Sequence, residues 1–197
     1  MKLNSLERDS ATHLDYVRQQ TRIEHSKLDS LPISLAITSD NVTIKEYGNY
    51  LQLMYSVVLE IEKHVYPLLE NVIQNLDLRS KLGWIKNDLQ NLSIEVPENV
   101  QVFKFNSNNR SFALGIAYVI EGSTLGGRYM LKNITKNLAL DKENGASYLS
   151  GYDNLSGLRW KNFISNMDSH LTLDNREEVV LGARFAFQSI YDHLNYD

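Results

Sequence analysis

Apolar residues recur at three- and four-residue steps along most of this chain, the spacing that places them on one face of an α-helix. The pattern predicts six helices, over residues 10–29, 43–70, 77–92, 111–140, 156–170 and 174–194. Polar or glycine-rich stretches predict loops at 39–41, 97–99, 106–109 and 141–154. No series of short alternating segments separated by turn signals indicates strands. We therefore expect an all-α helical bundle forming a single domain over residues 1–197.

The composition suits one domain with a full hydrophobic core, because 43% of the 197 residues are hydrophobic and 22% are charged. A net charge of −4 without a basic cluster argues against nucleic acid as a partner. The absence of cysteine excludes disulfides, thiolate metal ligands and a cysteine nucleophile. The N-terminal residues lack the apolar segment of an export signal, and no run of about 18 uncharged apolar residues occurs. We expect a cytoplasmic protein that has no membrane partner.

Three glycines, Gly122, Gly126 and Gly127, lie in the segment EGSTLGGR inside the longest predicted helix. Each glycine inside a helix costs about 1 kcal/mol relative to alanine, so the cluster indicates that something approaches this backbone closely. One explanation is a neighbouring helix, since Gly115, Gly122 and Gly126 share a face. A phosphate-binding loop is a second, although the GxGxxG and GxxxxGK[ST] patterns are absent. The third is a helix kinked by glycines against a planar ligand.

A histidine interrupts the apolar stripe of the first predicted helix. The stripe includes Leu14, Val17 and Leu28, and it places His25 on the inward face. An inward histidine alone is more often a core residue bonded to a backbone carbonyl, and the other possibility is a neutral imidazole ligand. Arg18 lies two turns earlier on this face, where it either meets a carboxylate at a pocket rim or is solvated. A histidine and a bare glycine face could enclose a flat cofactor.

Three segments resemble the heme oxygenase family, in particular the short bacterial enzymes that form biliverdin. The segment TRIEHSKLD (21–29) resembles the family's source of the proximal heme ligand, and LGIAYVIEGSTLGGRYML (114–131) resembles its distal helix. The aromatic-rich YGNYLQLMYSVVLEIE (47–62) resembles the second helix of the bundle. WKNF (160–163) and the last predicted helix extend the resemblance over most of the chain. It implies a heme held between a proximal and a distal helix.

The resemblance implies a role for individual residues of both helices. His25 would ligate the heme iron and leave the opposite axial position for dioxygen. The distal face would be lined by small residues, namely Gly122, Ser123, Gly126 and Gly127. Their lack of bulk would tilt bound dioxygen toward the porphyrin edge, which gives Gly126 a catalytic role. The hydroxyl of Ser123 or of Thr124 could hold the water of the proton relay, and the sequence leaves this choice open.

Other residues match the positions that surround the heme in the family. Arg18, Tyr118 and Lys161 stand where the family binds the heme propionates. Phe187 matches an aromatic position at the heme edge. Glu24, next to His25, could orient the second imidazole nitrogen.

The resemblance implies opening of the heme macrocycle to biliverdin with release of iron and carbon monoxide. Because no flavin or nicotinamide fingerprint occurs, the electrons would come from an external reductase or ferredoxin, and the biliverdin could supply a phytochrome. The hydroxyl of Ser123 or Thr124 organises water less strongly than a carboxylate would. A non-catalytic heme-binding or storage protein on the same fold is therefore an alternative. A di-iron oxygenase would need Glu-x-x-His, which is absent, and Glu60 with His64 suits a helix-surface ion pair.

Overall fold

The computed structural model describes residues 13–104 and 108–195, so the predicted helix residues 10–12 and loop residues 106 and 107 lie outside the described residues. All regular elements within these ranges are helical, as predicted. The α-helices are α1 (His13–Asp29), α2 (Pro32–Thr38), α3 (Ile44–Glu60), α4 (Leu82–Asn91), α5 (Arg110–Leu138), α6 (Ser147–Ser150), α7 (Ser156–His170) and α8 (Arg176–Leu194). None of these helices is both long and apolar enough to cross a membrane.

The predicted helix over 43–70 is correct at its start and wrong in its last third. It begins with a capping box, in which the Glu46 backbone N–H donates to the Thr43 hydroxyl at 3.2 Å and the Thr43 backbone N–H donates to the Glu46 carboxylate at 2.8 Å. After Glu60 the chain forms a π-helical turn, Ile61–Val65, and then a 3₁₀ turn, Tyr66–Leu69. Pro67 prevents an α-helix from continuing through residue 70, because it lacks a backbone N–H and its ring clashes with the carbonyl four residues earlier.

Two short helices escaped prediction, each for a physical reason. The seven-residue α2 is too short to show a full apolar period, although Pro32 at its first position is a helix-start signal. The four-residue α6 lies in the predicted loop 141–154, and its N-terminus depends on a distant carboxylate. Asp88 of α4 accepts from the backbone N–H of Ser147 at 2.8 Å and of Tyr148 at 2.7 Å. Burial raises the pKa of Asp88, and these hydrogen bonds oppose that rise.

The N-terminus of α4 is also capped from elsewhere in the chain. A 3₁₀ turn, Leu76–Arg79, precedes it, so the helix predicted over 77–92 is two elements. The Glu62 carboxylate accepts from the backbone N–H of Lys81 at 2.6 Å and of Leu82 at 3.0 Å. A carboxylate at this end of a helix is favourable because it satisfies free N–H groups and faces the positive end of the helix dipole.

The longest helix, α5, packs most extensively against α8, and two glycines make this contact close. A Cβ atom on Gly115 would lie 2.0 Å from the carbonyl oxygen of Val179, and one on Gly182 would lie 1.9 Å from that of Phe112. Helix packing therefore explains Gly115, as one of the predicted alternatives proposed. The helix α1 also packs against α8, so α8 supports both α1 and α5. The helix α5 remains α-helical through all its glycines.

Replacing Gly182 by alanine should lower the free energy of unfolding by about 1–3 kcal/mol, because the new Cβ would collide with a backbone carbonyl that cannot rotate away. Gly83→Ala in α4 is the matched control, since a Cβ there meets nothing within 4 Å. The control should gain about 0.5–1 kcal/mol from the better helix propensity of alanine. Urea denaturation followed by circular dichroism measures the free energy of unfolding of both variants. If Gly182→Ala were as stable as Gly83→Ala, the close contact between α5 and α8 would be contradicted.

Candidate functional site

A cavity of about 470 Å³ lies between α1 and α5, with α2, α3, α7 and α8 completing its wall. Apolar and aromatic side chains line most of it and a few polar groups converge on it, the usual composition of a small-molecule site. Seven of the ten predicted site residues line this cavity: Arg18, His25, Tyr118, Gly122, Ser123, Gly126 and Phe187. The fold thus brings together residues from three helices that are distant in sequence.

His25 stands on the cavity wall, but its side chain is 60% exposed. The prediction of a buried, inward histidine is therefore wrong in its burial and right in its face. Because α1 and α5 both rest on α8, the inward face of α1 at this level borders the cavity instead of another helix. The imidazole meets Phe187 edge to face, with 5.4 Å between ring centroids. Its neighbours leave the ring accessible to a ligand.

Asp29, one helical turn after His25, is a functional candidate that the sequence analysis missed. Its Oδ2 atom lies 3.3 Å from the Nδ1 atom of His25. A carboxylate at Nδ1 holds the ring proton there and leaves the Nε2 lone pair for a ligand. Glu24, the predicted partner, turns instead toward α8, where its Oε1 atom lies 3.4 Å from Nε of Arg184. The four-residue spacing of His25 and Asp29 was the available signal.

Arg18 and Tyr118 place a cation and a hydroxyl at the cavity from facing helices. Burial raises the pKa of Tyr118, and the charge and hydrogen bond of Arg18 oppose that rise. Lys161, predicted to act with them, lies in a separate shallow groove beside Asp168 and does not line the cavity. The preceding residue, Trp160, borders both the cavity and the groove. One residue along a helix rotates the side chain by about 100°, which carries Lys161 away from the cavity.

The glycines of α5 differ in what they face. A Cβ on Gly126 would meet no atom within 4 Å, so packing within the protein does not require this glycine. A Cβ on Gly122 would make an ordinary contact with the Trp160 ring at 3.6 Å. Gly127 does not line the cavity as predicted, because it packs on α6, where its Cβ would lie 3.3 Å from the carbonyl oxygen of Leu149. Gly122 and Gly126 therefore leave bare helix backbone along the cavity.

The two candidate hydroxyls of α5 also separate. Ser123 lines the cavity and donates to the carbonyl oxygen of Ile120 at 2.8 Å. Thr124 is buried on another side of the helix, donates to the carbonyl oxygen of Glu121 at 2.6 Å, and does not line the cavity as expected. Burial raises the pKa of Tyr148 to about 12, and the neighbouring Ser123 hydroxyl opposes that rise. Ser123 is thus the hydroxyl that can reach a ligand.

A buried ionic cluster lies behind the glycine segment, and the sequence analysis did not identify it. The Glu121 carboxylate pairs with the Arg79 guanidinium, and its Oε1 atom lies 2.5 Å from Nζ of Lys81. All three side chains are at most 2% exposed. Burial alone would raise the pKa of Glu121, but Lys81 and Arg79 hold it below its usual value. Burial opposes the charge on Lys81, yet the Glu121 carboxylate holds the pKa of Lys81 well above its usual value.

The pair Glu60 and His64 is not the predicted surface ion pair, because Glu60 is buried. Glu60 is 4% exposed, and its Oε1 atom accepts from Nδ2 of Asn99 at 2.9 Å and lies 3.9 Å from Nε2 of His64. Over residues 13–104 and 108–195, no three histidine or carboxylate side chains are grouped so that they could hold a metal ion.

Known proteins resemble this chain along nearly its whole length. The family model described as Heme oxygenase matches residues 11–195. Heme oxygenase PigA of Pseudomonas aeruginosa is 30% identical to the chain over 128 residues. That alignment spans 64% of this chain and 64% of the relative, which is less than two thirds of the relative's length.

Solved heme oxygenases share the fold. The NO- and CO-bound enzyme of Neisseria meningitidis matches with a TM-score of 0.79 at 24% identity, covering 94% of this chain and 91% of that one. The enzyme of Leptospira interrogans gives 0.77 at 14% identity over 93% and 98% of the two chains. Heme oxygenase-1 of Synechocystis sp. PCC6803, in complex with heme, gives 0.74 at 16% identity over 93% and 91%. The all-α prediction is confirmed, and with the family model spanning residues 11–195 this chain belongs to the heme oxygenase family.

Proposed function

We propose that this protein is a heme oxygenase, which opens the heme macrocycle with dioxygen and external electrons and yields biliverdin, iron and carbon monoxide. The observation that carries the proposal is the pairing of His25 with the bare backbone at Gly126 across one cavity. Membership of the family supports the same reaction. Heme is here the substrate, and its iron supplies the centre at which dioxygen is activated.

The proximal side of this site consists of His25, Asp29 and Phe187. The Nε2 atom of His25 would bind the iron, while Asp29 would hold the proton on Nδ1. Phe187 contacts the edge of the imidazole and restricts its rotation. Together these contacts would orient one nitrogen ligand toward the cavity.

The distal side consists of α5. A flat macrocycle can approach a helix only where side chains are absent, and Gly122 and Gly126 supply that surface. Ser123 would hold water within reach of the reacting face, because its hydroxyl is the one in the EGSTLGGR segment that lines the cavity. Thr124 is not part of this proposal, because its hydroxyl is bonded to the backbone outside the cavity. In this proposal the backbone of α5 covers one face of the macrocycle, and Ser123 holds the water that delivers protons.

The acidic edge of heme requires cations at the mouth of the site. Arg18 and Arg22 of α1 and Tyr118 of α5 line the cavity and could bind the propionates. Guanidinium groups suit this task because they pair with carboxylates through two parallel hydrogen bonds.

Electrons would arrive from an acidic partner such as a ferredoxin or a reductase. The chain carries a net charge of −4, yet Arg18, Arg22 and Arg184 border one shallow surface pocket beside the cavity, and Lys27 borders the next. A local basic rim on an acidic protein steers an oppositely charged partner to that face. Supply of biliverdin to a phytochrome and a cytoplasmic location remain predictions from the sequence.

A turnover assay tests the proposed function directly. The purified protein with hemin, given a ferredoxin and its reductase or ascorbate, should lose the Soret band and gain far-red absorption as biliverdin forms. The open cavity and the accessible Ser123 hydroxyl are the reasons to expect turnover. Persistence of intact heme would contradict the enzyme and support the heme-storage alternative.

His25→Ala should remove the nitrogen ligand and shift the Soret band of the ferric complex, with turnover reduced by about a hundredfold or more, on the order of 3 kcal/mol in the activation barrier. His170→Ala is the control, because this exposed histidine is the last residue of α7 and does not line the cavity. An unchanged spectrum in His25→Ala, measured beside the control, would remove His25 as the ligand.

Gly126→Leu should separate stability from binding. Because a Cβ at this position meets no protein atom, the heme-free variant should unfold at the same or a higher urea concentration, with a gain of up to about 1 kcal/mol from helix propensity. Hemin affinity should fall about tenfold or more, since the new side chain occupies the surface that the macrocycle must cover. Hemin titration by absorbance measures the change, and wild-type affinity would contradict the distal wall.

A further inference from the structure

The buried ionic cluster behind α5 has one more positive charge than negative charge. Arg79 and Lys81 are 2% and 1% exposed, and Glu121, at 1%, is the carboxylate of the described residues that forms a salt bridge with them. The Glu62 carboxylate accepts from the backbone N–H groups of Lys81 and Leu82, not from the charged side chains, and it is partly exposed at the α4 N-terminus. An excess buried charge is costly, which indicates a purpose other than stability.

Neutral oxygens hold the excess cation in place. Lys81 Nζ donates to the backbone oxygen of Arg79 at 3.0 Å, to the Tyr152 hydroxyl at 3.0 Å and to the Tyr66 hydroxyl at 3.3 Å. Tyr66 in turn donates to Glu121 at 2.9 Å. The Nε atom of Arg79 is buried without a hydrogen-bond partner. These contacts fix the positions of the charges without neutralising the excess.

The cluster lies next to the distal wall and is separated from the cavity by apolar groups. Glu121 directly precedes Gly122 in α5. The Arg79 guanidinium lies over the Phe163 ring at 5.6 Å, and Phe163 stacks on Trp160 at 5.8 Å between centroids. Trp160 faces Gly122 and lines the cavity. Because these aromatic rings lie between the Arg79 guanidinium and the cavity, the charge is weakly screened along this path.

We propose that Arg79, Lys81 and Glu121 form an electrostatic positioning site, whose net positive charge favours anionic ligands over neutral ones on the distal face of bound heme. The inference rests on the proposed heme site. None of the three side chains lines the cavity, so they act through the field that they create behind α5. The reaction benefits from this field because reduction of dioxygen builds negative charge on that face.

Binding of azide, an anion, to the ferric heme complex tests the inference, with neutral imidazole as the reference ligand. Lys81→Met lowers the net charge of the cluster and should weaken azide binding about tenfold. Glu121→Gln raises the net charge and should tighten azide binding by a similar factor. Coulomb's law gives this size for unit charges separated by about one helix diameter, ~12 Å, at an effective dielectric constant of ~20. Imidazole affinity should change less than about twofold in both.

The double variant Lys81→Met with Glu121→Gln distinguishes charge from structural damage. It returns the cluster to the wild-type net charge, so azide affinity should return to near the wild-type value. If the substitutions instead damaged the distal wall, their losses of azide affinity would add in the double variant. Lys86→Met, an exposed lysine of α4, controls for general loss of charge and should leave azide affinity unchanged.

Changes of azide affinity in the same direction in the two single variants, or no change, would overturn the inference. Hemin binding that depends on His25 would still support the proposed heme site in that case. A protein that binds no hemin would contradict both proposals. Circular dichroism and hemin stoichiometry establish that each variant is folded before the affinities are compared.

Discussion

The site depends on the contact between α5 and α8, where the two backbones touch at Gly115 and Gly182. No side chain fits at either position, so the two helices behave as one rigid unit at this level. Because α1 also packs on α8, this helix sets how far apart α1 and α5 stand. A cavity of about 470 Å³ occupies the resulting space, and α8 itself forms part of its wall.

Each stretch of α5 has a different neighbour. Its N-terminal part contacts α8, Gly127 contacts α6, and Glu121 enters the buried cluster with Arg79 and Lys81. Gly122 and Gly126 face the cavity, and a Cβ on Gly126 would meet no protein atom within 4 Å. The glycines of α5 therefore have two different roles. Close packing holds the helix in place, and the bare stretch remains available to a flat substrate.

The errors of the sequence-based predictions are informative. Helical periodicity correctly identifies the face of α1 that carries His25, but periodicity cannot distinguish a face against a core from a face against a cavity. Lys161 was assigned by position in a motif, and one residue of helix rotation carries it into a separate groove. The buried charges of Arg79 and Lys81 were invisible because charged residues normally indicate surface, and only their partner, 40 or more residues away, explains their burial.

The sequence by itself determined the all-α class, most helix positions and the two helix segments that carry His25 and the glycines, because apolar spacing and glycine placement are local properties of the chain. The tertiary structure alone decided which hydroxyl reaches the cavity, that Asp29 and not Glu24 meets His25, and that Glu121 joins two cations behind the glycine segment. These features depend on helix rotation and on contacts between distant segments. Neither is encoded in any one stretch of sequence.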